Sequence, residues 1–312
     1  MRRIAVIGGG VIGLTCALRL ARAGHQVSVH AADRPERTVS SVAGALWFPY
    51  YALPLDAVLG WARTTLRALT ELAADPATGV LLREGIVLYR NENPDLWWTA
   101  AVTGHRPART AELPPGTVSG IVCSLPMVTM GRYLDWLGAR CAELGVSFHD
   151  ETVTRLAAVE PAADTLVLAT GLRSGELTGD KTVRPVRGQV VRLANPGLTR
   201  WIVDDDNPAG MTYVFPRQDD VVCGGTADEN EFDTTVDPAT EQAILARSLE
   251  LEPALVGVPV VSRAVGLRPV RPTVRLDRTE QDGRAVICCY GHGGSGVTLS
   301  WGCADEVARL AG

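Results

Sequence analysis

Residues 3–14 read Arg3-Ile4-Ala5-Val6-Ile7-Gly8-Gly9-Gly10-Val11-Ile12-Gly13-Leu14. A buried-strand run meets three glycines, and a helical pattern then continues from Val11 to Ala23 and stops at Gly24. Gln26 to His30 reads as a second strand, which makes the segment a β-α-β unit with its Gly-rich turn between strand and helix. Gly8-x-Gly10-x-x-Gly13 is the dinucleotide fingerprint in the context it requires, with Asp33 about twenty residues beyond Gly13. Gly8 makes the tight turn, Gly10 lets the backbone approach a pyrophosphate, and Gly13 allows close helix–strand packing. The pyrophosphate would rest on the amide donors and positive end of the helix, with Asp33 accepting from a ribose hydroxyl. The motif leaves FAD and NAD(P) both open, and Arg34 beside Asp33 is compatible with a 2'-phosphate.

The composition sets the frame for this unit. The 312 residues are 46% hydrophobic and 21% charged, which indicates a globular chain of about two domains. A net charge of -5 argues against a nucleic-acid-binding surface. Lys181 is the only lysine and sits in a polar stretch, a poor setting for a Schiff-base residue. The seven cysteines include no C-x-x-C pair and read as buried small hydrophobes in a reducing compartment; no metal site is expected. Met1-Arg2-Arg3 and the apolar run behind it look like a signal peptide. Glycines interrupt that run, Arg19 and Arg22 follow closely, and no stretch reaches the length of a membrane span. The expectation is a soluble cytoplasmic protein with no membrane contact.

Further along, apolar spacing predicts helices over Asp56–Ala73, Met130–Leu144, Pro238–Leu251 and Val297–Leu310. Val80–Tyr89 reads as two strands meeting near Gly85, and Pro107–Pro126 as a turn-rich stretch. Strands are expected at Thr165–Thr170, Gly188–Leu193, Thr212–Phe215, Val221–Gly224, Val260–Val265 and Ala285–Cys289. Ala169-Thr170-Gly171 closes a buried strand with the kind of turn that lies against the adenosine half in FAD proteins, which tilts the cofactor toward FAD. Near the end, Tyr290-Gly291-His292-Gly293-Gly294-Ser295-Gly296-Val297-Thr298 puts four glycines within six residues, just before a helix. Such a segment lets the backbone approach a planar ligand, and the helix N-terminus would stabilise negative charge on a reduced flavin.

With these segments in hand, the chain resembles the FAD-dependent family of D-amino acid oxidase and D-aspartate oxidase. The likeness is carried by residues 6–14 and by Ala43-Gly44-Ala45-Leu46-Trp47 with Pro49-Tyr50. It continues through Arg187-Gly188-Gln189, Tyr213-Val214-Phe215-Pro216-Arg217, Gly224-Gly225-Thr226 and Val265-Gly266-Leu267-Arg268-Pro269-Val270-Arg271-Pro272. Tyr290 to Ala304 completes it. The resemblance implies an α/β fold in which a Rossmann-like FAD-binding domain is interleaved with a mostly antiparallel-sheet substrate-binding domain. The FAD-binding domain would comprise residues 1–52, 131–180 and 266–312, and the substrate-binding domain residues 53–130 and 181–265.

Implied site residues follow from the matched motifs. Arg268 would grip the substrate carboxylate with its planar fork, Tyr213 would donate a second hydrogen bond to it, and the Gly294 carbonyl would accept from the amine. Gly8, Gly10, Val11, Ile12, Gly13, Asp33 and Arg34 would hold the ADP half of FAD, with Val153 on the adenine side. Ser40, Ser41, Gly44, Ala45 and Leu46 would line the flavin and phosphates. Gly293, Gly294, Ser295, Gly296, Val297 and Thr298 would hold the isoalloxazine. The implied reaction is hydride transfer from a D-amino acid to flavin N5, giving a 2-oxo acid, ammonia and, with dioxygen, hydrogen peroxide. A glycine/sarcosine-type amine oxidase and a D-aspartate oxidase are the alternatives, and a homodimer is compatible with the reading.

Two departures from the family pattern stand out. Neither Asn207-Pro208-Ala209-Gly210 nor Ala227-Asp228-Glu229 holds the additional active-site tyrosine of some members, and Ser295 stands where animal members often carry tyrosine. An acidic substrate would want another basic residue in the pocket, for which Arg217 and Arg271 are the candidates.

Overall fold

Strand β1 (Arg3–Ile7) lies parallel to β2 (Gln26–Ala31), with helix α1 (Val11–Arg22) joining them, as the opening stretch dictates. This is seen in a computed structural model that describes residues 1–50, 52–159 and 162–312. In chain order the remaining elements are α2 (Val39–Val42), α3 (Leu55–Leu72), β3 (Val80–Tyr89), β4 (Arg106–Pro107), β5 (Ser119–Val128), α4 (Met130–Glu143), β6 (Ser147–Asp150), β7 (Thr165–Leu168) and α5 (Ser174–Thr178). They continue as β8 (Arg184–Ala194), β9 (Trp201–Asp204), β10 (Thr212–Pro216), β11 (Asp220–Gly224), β12 (Asp228–Glu229), α6 (Pro238–Leu251), β13 (Val260–Gln281), β14 (Arg284–His292) and α7 (Gly296–Ala311).

Among the described residues these strands form one sheet, ordered β4-β5-β3-β9-β10-β11-β8-β13-β14-β7-β1-β2-β6, with β12 paired to β8. From β14 to β6 every pairing is parallel. From β13 to β4 the pairings are antiparallel, except that β3 runs parallel to β9. Apart from the exposed edge strand β6, the parallel half is covered on both faces, which explains its apolar strands. On one face α1, α3, α4 and α7 pack through Leu18, Leu69, Leu137 and Leu299. On the other, Ile7, Leu168 and Val286 meet Val153, Leu156 and Tyr290.

Several expectations change. Val80–Tyr89 is one strand, because Gly85 opens room for the Trp201 indole, whose Nε1 donates to the Arg83 carbonyl at 2.8 Å. Pro107–Pro126 conceals most of β5, whose Gly120 and Pro126 mask a ten-residue antiparallel register with β3. The strand from Val260 continues to Gln281, because the register shift between Val270 and Arg275 absorbs Pro272. The expected domain boundary between residues 265 and 266 therefore falls inside a continuous strand. Helix α3, assigned above to the substrate half, packs on α7.

That helix contact rests on a glycine. A Cβ at Gly302 would lie 2.3 Å from Trp61 Cα, and the Gly302 N–H donates to Thr65 Oγ1 at 3.1 Å. Gly302→Ala should therefore lower stability by about 3 kcal/mol, the upper range for overpacking. Thermal unfolding would show it as a drop of several degrees.

Candidate functional site

Two helix N-termini converge on a cavity of about 440 Å³. The turn between β1 and α1 supplies Gly8, Gly9 and Gly10, and the turn between β14 and α7 supplies Gly293, Gly294 and Gly296. Neither helix carries an acidic residue in its first turn, so both present uncompensated positive ends. The Val11 N–H is met by Ser40 Oγ at 3.0 Å. Ala169, Thr170 and Gly171, past the end of β7, line the same space. Gly8 has φ +120° and touches this strand end so closely that a Cβ would fall 2.3 Å from the Ala169 carbonyl oxygen.

Of the residues implied for the nucleotide, Gly8, Gly10, Val11, Ile12, Asp33, Ser40, Gly44, Ala45, Leu46 and Val153 line the cavity. So do Gly293, Gly294, Gly296, Val297 and Thr298. Gly13, Arg34, Ser41 and Ser295 do not, for different reasons. Gly13 packs under the turn, where a Cβ would sit 1.9 Å from the Gly8 carbonyl oxygen. Arg34 lines an adjoining groove with Asp33 and Arg37. Ser41 turns its hydroxyl to the Glu36 and Thr38 carbonyls, each at 2.8 Å. Ser295 Oγ accepts the Tyr50 N–H at 2.6 Å and donates to the Tyr50 carbonyl. With Thr298, which bonds the Phe48 N–H and carbonyl in the same reciprocal way, it ties residues 48–50 to the start of α7.

Away from the nucleotide turn, the cavity is walled by Tyr50, Asp205, Met211, Tyr213, Phe215 and Arg268. Tyr213, on β10, is buried and stacks on Phe215 with centroids 4.4 Å apart. Burial pushes its hydroxyl pKa up, and the adjacent Arg268 guanidinium partly offsets that. Arg268, on β13, is anchored by Nη1, which donates to the Thr226 carbonyl at 2.7 Å. Glycines clear the space both side chains occupy. A Cβ at Gly188 would lie 2.5 Å from the Arg268 guanidinium, and one at Gly224 would lie 2.4 Å from the Tyr213 hydroxyl. Gly294 is exposed within an otherwise buried stretch and lies against the Tyr50 ring. Arg217 and Arg271 are both outside this wall; Arg217 pairs with Asp220 at 2.5 Å and Arg271 with Asp180 at 2.8 Å.

Motif reading passed over Tyr50 as a functional side chain, and over Met211 and Asp205 entirely. It also missed a group of buried side chains, two of which, Cys289 and His292, line the cavity. Cys289, His292 and Cys303 bring ligand-type atoms within 4.8 Å of one another, with Cys289 Sγ 3.9 Å from His292 Nε2 and the Cys16 thiol a close neighbour. All seven cysteines are buried and unpaired.

Against this geometry, the sequence profile of the DAO family, described as FAD dependent oxidoreductase, matches residues 3–310. The chain belongs to this family. FAD is accordingly its cofactor, and the cavity fits it: two glycine turns at helix N-termini and the Asp33 carboxylate just past β2 line one space. Two D-amino-acid oxidases are similar over essentially the whole chain. That of Rubrobacter xylanophilus is 47% identical, covering 99% of this chain and 96% of its own, and that of Streptomyces coelicolor is 44% identical with the same coverage. Glycine oxidase from Geobacillus kaustophilus shares the fold, with a TM-score of 0.84 at 20% identity over 99% of this chain and 95% of that one. Among the described residues, no helix is long and apolar enough to cross a membrane.

Proposed function

We propose that this DAO-family enzyme is a D-amino-acid oxidase, converting D-amino acids to 2-oxo acids, ammonia and hydrogen peroxide. The observation that carries the reading is the pairing of Arg268 with Tyr213 in the wall of the nucleotide cavity, beside the exposed Gly294. Arg268 offers a planar, permanently charged fork to the substrate carboxylate, and Tyr213 offers a hydroxyl that burial keeps protonated. The Gly294 carbonyl accepts from the substrate amine. When bound, FAD supplies the two-electron acceptor for the α-hydrogen. The residues that hold the substrate contribute orientation, which is where most of the acceleration arises when no proton-abstracting side chain is needed. His292 is buried among the cysteines and serves as packing rather than as a base. The released imino acid hydrolyses in water, and dioxygen takes up the electrons as hydrogen peroxide.

The sheet supports a two-lobed division, with the nucleotide turns on its parallel half and Tyr213 and Arg268 on its antiparallel half. Seven buried free thiols support residence in the reducing cytoplasm. Anaerobic addition of D-amino acids to the purified yellow protein should bleach the flavin absorbance, and air should restore it with release of peroxide. Bleaching by glycine or sarcosine alone would make the protein an amine oxidase of that type. A spectrum unmoved by any amino acid would overturn the oxidase reading.

A further inference from the structure

We propose that Asp205 makes the pocket selective for D-amino acids with a cationic side chain, such as D-lysine or D-arginine, and hostile to acidic ones. The inference rests on the D-amino-acid oxidase reading and extends it to substrate class. Three consecutive aspartates end β9, and the fold gives each a different place. Asp204 is wholly buried and held by the Arg90 fork, with Nε at 3.2 Å and Nη2 at 2.6 Å. Asp206 accepts from Asn91 Nδ2 at 3.1 Å. Asp205, between these two fixed neighbours, begins the turn and is a solvent-accessible member of the cavity wall. Among the described residues its carboxylate has no hydrogen bond or ion pair, unlike both its neighbours.

A carboxylate placed there has electrostatic consequences. Its field and that of Arg268 both reach the Tyr213 hydroxyl, so the negative and positive groups share one end of the cavity. Partial desolvation at the cavity wall, together with Asp206 and Asp204, pushes the Asp205 carboxyl up to about 6, so a ligand cation would relieve an unfavourable charge. Met211, Phe215 and the Tyr50 ring offer apolar surface suited to a methylene stem. The other basic side chains of the wall, Arg37 and Arg173, lie at the nucleotide end with Asp33 and Val153. Arg217 and Arg271 are paired outside it, and the buried Arg247 spends its donors on Thr212 and the Ala209 and Gly225 carbonyls. Arg192, close to Tyr213 but not in the cavity lining, gives Nη2 to the Ser41 carbonyl at 3.1 Å, so among the lining residues an acidic side chain would meet Asp205 with no second cation beside it.

The test compares D-lysine with D-norleucine, which has the same carbon skeleton but no terminal ammonium, on the holoenzyme and on Asp205→Asn. The wild type should prefer D-lysine to D-norleucine and leave D-glutamate nearly untouched. In Asp205→Asn, kcat/KM for D-lysine should fall about ten- to a hundredfold further than that for D-norleucine. Asp205→Glu, which restores the charge, should recover the preference. As a readout independent of turnover, 6-aminohexanoate and hexanoate can be titrated against the flavin absorbance. The wild type should favour the amino compound, and Asp205→Asn should bring the two affinities together. Equal losses for D-lysine and D-norleucine, or an unchanged preference in Asp205→Asn, would overturn the proposal. If no D-amino acid bleaches the flavin while the two hexanoates still separate by charge, the oxidase reading fails and the selectivity of the pocket stands.

Discussion

Arg268→Ala should cut kcat/KM for D-amino acids by about a thousandfold and leave the purified protein yellow. Removing one member of a desolvated, hydrogen-bonded charge pair costs roughly 2–5 kcal/mol, and each 1.4 kcal/mol is a factor of about ten. The loss should fall on substrate binding as well as on orientation, since the same fork supplies both. The cofactor should stay, because the glycine turns and helix ends that cradle it touch Arg268 only at its margin, where the Gly294 Cβ position lies 3.7 Å from Cδ. Arg268→Lys should recover little. Nη1 already donates to the Thr226 carbonyl at 2.7 Å, so the arginine serves its anchor and its ligand with different nitrogens of one rigid plane. An ammonium has one nitrogen to divide between them. Near-wild-type kinetics of Arg268→Ala with a neutral D-amino acid would remove this residue from its assigned role.

The second large effect separates two glycines that a motif treats alike. Gly13→Val should give an unstable, colourless protein, because a Cβ there would lie 1.9 Å from the Gly8 carbonyl oxygen and the turn between β1 and α1 could not close. Gly10→Val should also be colourless, yet folded. Its Cβ would meet only the Ser40 hydroxyl, at 3.1 Å, so the added bulk projects into cofactor space rather than into backbone. FAD affinity in both variants should fall by about five- to a hundredfold, the scale of an overpacking clash of roughly 1–3 kcal/mol. Thermal unfolding of the FAD-free proteins would tell them apart: Gly10→Val should match apo wild type and Gly13→Val should lie well below it. Equal midpoints would refute the division of labour.

Which parts of this molecule could be read from one dimension follows from how local the signals are. The nucleotide turn is legible because strand, glycines and helix are adjacent in the chain, and the same is true of the turn before α7. Residues 107–126 hid β5 because its pairing with β3 outweighs a local composition of turn formers. Asp205 was invisible as a site residue, since its place depends on the neighbouring Asp204, which Arg90 holds from 114 positions away in the chain. The glycines of Arg187-Gly188-Gln189 and Gly224-Gly225-Thr226 were legible as motif but not as meaning. Only packing reveals that they leave room for the Arg268 guanidinium and the Tyr213 ring. The cysteine and histidine group likewise joins residues from α1, β14 and α7, a proximity that spacing along the chain cannot express.

The long strand β13 has a consequence for traffic through the enzyme. It pairs with β8 from Val260 to Val270 and with β14 from Val270 to Gln281, so Arg268, proposed above to receive substrate, and the glycine turn after β14, proposed to hold cofactor, are tied into one ladder. A clamshell motion between the halves would have to break that ladder, and hinges are ordinarily placed where no such ladder exists. With the halves tied in this way, small molecules would reach the cavity through gaps between loops and side chains, much as boats pass under a fixed bridge. Under the selectivity proposed above, the exposed Asp205 on the cavity wall would then act on charge during entry as well as in the bound state.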